Sequence, residues 1–148
     1  MRIAGEFTTP SSGASLAGLT DRVDELTAVP TLDEVTNGPD GSVCALFSPV
    51  TPFGRLPLRT RIRTERADAD GAVLAVHARR AQHAVDVTIE LGFVPCDAGS
   101  RVTWSADLTV RGPAASVGQR VAREVAARAI AEVLQAAASL ATPLSPHN

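Results

Sequence analysis

The chain has 148 residues, 45% of them hydrophobic and 20% charged, with a formal net charge of −2. That is the length of one domain, with apolar content enough for a core that needs no disulfide or metal staple and too high for intrinsic disorder. The small net charge argues against a nucleic-acid partner, and no apolar run reaches the roughly 18–20 residues that span a bilayer. From the start, Arg2 to Thr8 alternates Ile3, Gly5 and Phe7 against Arg2, Ala4 and Glu6, which predicts a short strand closed by Pro10-Ser11-Ser12-Gly13. Leu16, Leu19, Val23, Leu26 and Val29 then recur at helical spacing. This reads as one broken helix or two small ones ended by Pro30, with Thr20 or Asp21 able to cap the second.

From Thr31 the apolar period changes to two. Thr31 to Val35 is a short strand that enters the turn Asn37-Gly38-Pro39-Asp40-Gly41, and Ser42 to Phe47 is the next strand. Ser48 to Gly54 contains two prolines and is expected to hold no ladder. Leu56, Leu58, Thr60 and Ile62 alternate with Arg55, Arg59, Arg61 and Arg63, so one face is apolar and the other charged. Asp68 to Gly71 is a turn, and Ala72 to Arg80 a strand. Val85 to Phe93 and Val102 to Val110 alternate cleanly on either side of a turn at Pro95 to Gly99. Ala114 to about Leu140 has no Pro and an apolar stripe that includes Val117, Val121, Val125 and Ala129. It predicts an amphipathic helix of about 25 residues, starting at Pro113 or at a Ser116–Gln119 capping box. Residues 1–140 are read as one domain and 141–148 as a short disordered tail.

The order is strand, short helical segment, a run of antiparallel strands and one long helix. A helix this apolar along one stripe must bury it, and the sheet is the surface available. The class is α+β, and a curved sheet closed over by one helix leaves room for an internal cavity.

Chemistry-bearing residues are sparse. His77 and His83 lack the converging ligands that a zinc site needs. No Ser–His–acid set and no glycine-rich phosphate loop is present. Cys44 and Cys96, isolated in a chain without a secretion-like leader, read as buried small apolar groups. Arg55, Arg59, Arg61, Arg63 and Arg66 form the single charge run. It reads first as a solvated strand face, and second as a docking surface for an acidic partner. All basic residues are Arg and Ala is abundant, which points to a GC-rich coding sequence such as an actinobacterial one.

Several motifs carry a family resemblance. Met1-Arg2-Ile3-Ala4-Gly5-Glu6-Phe7, Leu19-Thr20-Asp21, Val29-Pro30, Phe53-Gly54 and the stretch from Arg101 through Gly112 to Gly118 and Arg120 are the residues concerned. On these the chain resembles the carbon monoxide dehydrogenase CoxG group of the SRPBCC (START/polyketide cyclase) superfamily, over roughly residues 1–135. It departs from the group at Arg22, where Pro is usual, in Ser15-Leu16-Ala17-Gly18, where Trp is usual, and at Thr31, where Gly is usual. The resemblance implies a helix-grip fold of about seven strands wrapped over a long C-terminal helix, with two short helices after the first strand. It also implies a non-catalytic protein that binds a small lipophilic ligand, an isoprenoid quinone or another lipid, as accessory to a molybdenum hydroxylase. No covalent cofactor and no metal is expected. The expected location is cytoplasmic, at most peripheral to the inner face of the membrane. The sequence names no oligomeric state.

On this reading Phe47, Leu58, Thr60, Ile62, Trp104, Val121 and Val125 are the expected cavity walls. His77 and Arg80 are the candidate polar groups, on a strand whose inward face the pattern leaves open. If they point inward, a polyketide cyclase or aromatase of the same fold is the alternative, because that chemistry needs proton-moving groups around the substrate. A protein-docking adaptor using the arginine strand is the third reading.

Overall fold

In the computed structural model, the described residues are 1–18, 26–38, 41–51, 54–112 and 119–140. The elements in chain order are β1 (Arg2–Thr9), α1 (Gly13–Ala17), β2 (Leu32–Asn37), β3 (Val43–Phe47), β4 (Val50–Thr51), β5 (Gly54–Arg55), β6 (Leu58–Asp68), β7 (Gly71–Arg80), β8 (His83–Cys96), β9 (Gly99–Arg111) and α2 (Gln119–Ala138). Seven strands form one antiparallel sheet in the order β1-β9-β8-β7-β6-β3-β2. This is a meander from β6 to β9, with β1 added beside β9. The sheet is curved, and the long helix covers its inner face, as in a helix grip.

Alternation decides which face is inner. Across the sheet the register runs Gly5–Trp104–Leu91–Ala72 and Ile3–Ala106–Ile89–Leu74. Every residue in those rows has the inward parity, and the rows on either side of the Gly5 row carry Glu6 opposite Thr103 and Ser105 opposite Glu90. Two irregularities bend the strands. The β2–β3 register shifts between Asp33 and Thr36, where Glu34 takes φ 52°, and the β6–β7 register shifts between Thr64 and Arg66. Such bulges raise local twist and help a sheet curl over a helix. From α2, Ala126, Ile130 and Leu134 pack on Ile3, Ile89, Trp104, Ala106 and Leu108. Ala136 and Ala137 meet the cluster of Leu26, Val29, Leu32, Val43 and Ala45. The short α1 begins at Ser12, whose Oγ accepts the Ser15 N–H at 3.2 Å.

Some expectations change. Val50–Thr51 and Gly54–Arg55 pair as a two-stranded hairpin, where no ladder was expected. None of the four paired residues is a proline, so the missing donors do not interrupt it. β8 continues through Pro95 to Cys96, where a turn was expected. β7 stops pairing at Gly92, so beyond that point β8 has β9 alone as neighbour and the absent Pro95 N–H costs no ladder bond. β6 runs on to Asp68, whose Oδ1 accepts the N–H groups of Asp70 and Gly71 at 2.8 and 3.1 Å and makes the turn. Cys96 is exposed at the end of β8, and Cys44 is half-buried on the outer face, so neither is the buried apolar group expected. The second short helix cap at Thr20 or Asp21, the two starts considered for the long helix and the tail from 141 lie outside the described residues.

Candidate functional site: an apolar cavity under the helix

Between α2 and the inner face lies a cavity of about 120 Å³. Its walls come from every layer: Phe7 of β1, Leu16 of α1, Ile62 of β6, Ala72 and Leu74 of β7, Phe93 of β8, and Val133 and Ala137 of α2. Among the described residues, each side chain on its wall is apolar. The geometry follows from residue size. Ala72, Ala137 and Ala138 stand where larger residues would close the gap, while Phe7, Phe93 and Leu91 hold the layers apart. Thr9 Oγ1 is the buried side-chain oxygen without a partner among the described residues, and Thr9 is not on the cavity wall. A cavity of this kind stays dry and favours an apolar guest.

Of the candidate wall residues, Ile62 lines this cavity. Thr60 is buried nearby, but its hydroxyl donates to the Leu58 carbonyl at 3.0 Å. Phe47 packs on the Leu26–Val29–Leu32 cluster, and Leu58 is half-buried. Trp104 is 5% exposed and belongs to the adjoining cluster with Ile3, Ile89 and Leu108. Val125 is half-buried on α2, and the side chain of Val121 lies outside what the structure describes. Sequence reasoning passed over Leu74 and Phe93, although both carry the inward parity of their strands. Their signal was present in the alternation. What was not readable is which stretch of each strand the helix leaves uncovered.

The two candidate polar groups do not reach the cavity. His77 has outward parity and lies on the convex face, where its Nδ1 is 2.5 Å from Asp86 Oδ1. Asp86 is also paired with Arg111. A carboxylate only accepts, so Nδ1 carries the proton of this bond. The hydrogen bond from His77, then the positive charge of Arg111, hold the Asp86 carboxyl below the usual carboxylate range. Arg80 is exposed at the strand end, opposite His83. A second hollow, of about 370 Å³, lies on this convex face and is lined by Arg61, Arg63, His77, Asp86 and Asp107 among others. It is larger but polar, and so a poorer place to desolvate a lipophilic molecule. Among the described residues, no cluster of three or more His, Cys, Asp or Glu is arranged to hold a metal ion. No helix among them is long and apolar enough to cross a membrane.

Solved structures share this architecture. A conserved protein from Geobacillus kaustophilus superposes with a TM-score of 0.78 at 12% identity, covering 93% of each chain. Ara h 8.0201 gives 0.62 at 17% identity, with 93% of this chain and 95% of that one covered. The Zhui aromatase/cyclase from Streptomyces sp. R1128 gives 0.61 at 15% identity, with 93% and 91% covered. At these identities the likeness speaks for the fold alone. No curated protein matches the chain. The profile of the carbon monoxide dehydrogenase CoxG family, however, matches residues 5–141. A match over that span, on a helix-grip fold with an apolar cavity beneath its long helix, means that this chain belongs to the CoxG family.

Proposed function

We propose that this protein binds a small lipophilic molecule, an isoprenoid quinone, in the apolar cavity, and does so as accessory to a molybdenum hydroxylase of the carbon monoxide dehydrogenase type. The observation that carries the reading is the cavity wall, which is apolar at every described residue. Affinity then comes from apolar area leaving water, about 25 cal/mol per Å² before association costs. The family description supports the accessory role. The protein works at the cytoplasmic side, receiving or handing over its ligand at the membrane surface.

A cyclase-like activity is the second reading, favoured by the fold's likeness to an aromatase/cyclase. It needs groups that move protons next to the substrate. The described wall offers none, and His77 is committed to Asp86 on the opposite face. The non-catalytic reading is therefore preferred.

Mass spectrometry of an organic extract from gently purified protein tests it. A stoichiometric isoprenoid quinone is the expected result, and Ala137→Phe, which fills the cavity from the helix side, is expected to remove it. An empty extract together with no binding of added menaquinone sinks the reading.

A further inference from the structure

The cavity has a size and a polarity, and both discriminate between the parts of an amphiphilic ligand. At about 120 Å³ it is smaller than the roughly 150 Å³ apolar cavity known to take one benzene ring. A fused two-ring head does not fit, whereas one branched five-carbon unit does. The second constraint is independent of the first. A quinone or other carbonyl-bearing ring brings acceptors that lose their water on entry. Leu16, Ile62, Leu74, Phe93, Val133 and Ala137 offer them no donor, and the Thr60 hydroxyl nearby is already spent on the Leu58 carbonyl. An acceptor buried there without a partner costs affinity, while each methylene buried gains about fourfold.

Resting on the ligand-binding reading above, we infer that the cavity takes the end of its ligand's hydrocarbon chain, about one five-carbon unit, and leaves the polar head and the rest of the chain outside. The protein reads the chain and is indifferent to the ring. Its ligand class is then set by the tail, a prenyl or acyl chain, and lipids with different heads on the same tail compete for one site.

The full chain is titrated by calorimetry with four probes. Menadione is a ring without a chain, farnesol and dodecanol are chains without a ring, and a menaquinone with a short prenyl tail has both. Farnesol or dodecanol is expected to bind within about tenfold of the menaquinone, and menadione to bind at least about tenfold more weakly. Farnesol alone identifies a prenyl source, and dodecanol binding equally identifies any hydrocarbon chain. Ala137→Phe and, from the sheet side, Ile62→Phe are expected to abolish chain binding while the circular dichroism spectrum is kept. If menaquinone and menadione bind alike and both alcohols fail, the head enters and the inference falls while the carrier reading stands. Farnesol binding unchanged in both folded variants also overturns it. If none of the four binds, both fall.

Discussion

Trp104 covers Gly5, its direct cross-strand neighbour: a Cβ built on Gly5 would lie 2.7 Å from Cζ2 and 2.8 Å from Nε1 of the indole. The glycine is there for the approach of the ring, since a side chain at that point has no space. Gly5→Ala is expected to push the indole out of its place and cost about 1–3 kcal/mol, with Gly5→Val costing more. Urea unfolding followed by Trp104 fluorescence measures it. An unchanged midpoint in both variants would mean that the ring yields freely.

Phe93 is 7% exposed and stands both in the core and on the cavity wall. Phe93→Ala is expected to lower stability by about 3–5 kcal/mol and to enlarge the cavity. The paired expectation is that menadione, weakly bound by the native protein, binds more tightly to this variant. A loss below about 1 kcal/mol would show that the layers collapse onto the space, and the ring would then gain nothing.

Asp86 gives the convex face its pH dependence. Its folded carboxyl is held below its ordinary value by the His77 hydrogen bond and by Arg111. A depressed carboxylate contributes stability that is present above the unfolded pKa of about 3.9 and is lost as pH falls through the folded value. Asp86→Asn is therefore expected to destabilise the protein at pH 7, by less than about 1 kcal/mol because the pair is largely solvent-screened. The difference from the native protein should shrink below about pH 4. Thermal melts from pH 7 to pH 3 check it, and a difference that grows toward acid would contradict the assignment.

Arg59 and Arg79 are directly opposed on β6 and β7, both exposed. Like charges in that position destabilise a sheet by about 0.2–1 kcal/mol. Arg79→Glu is expected to raise stability by a comparable amount at low ionic strength, with the gain fading in molar salt. A stability loss at low salt would mean that Arg79 has a favourable role the register does not reveal.

Much of this architecture was legible in the residues. Val85 to Phe93 and Val102 to Val110 alternate so regularly that their inner faces were fixed by parity, and the β8–β9 register agrees. Pro95 misled because a proline is a stop signal only where both edges of a strand are paired, and pairing on each edge is a property of the whole sheet. The β4–β5 hairpin was hidden for a similar reason, since proline count says nothing about which residues exchange bonds. Trp104 and Phe93 share the inner face and were equally visible as apolar. Their difference, one over a glycine and one beside the cavity, depends on where α2 lies along the sheet. Alternation gives the face of a residue but not its distance from a helix packed across it.

The place of β1 in the sheet has a consequence for synthesis. Its whole ladder is with β9, from Arg2 opposite Asp107 to Thr9 opposite Ser100. As the chain leaves the ribosome, its first strand therefore waits for its last, and about two-thirds of the sequence must emerge before those backbone groups find partners. The local β6–β9 hairpins have no such delay, since each strand pairs with the one just made. Closing so long a loop is the slow, non-local step of assembly, and during it an apolar strand stands uncovered. A chain stalled just before β9 would expose that strand longest, so such intermediates are where chaperone binding to this protein is expected to concentrate.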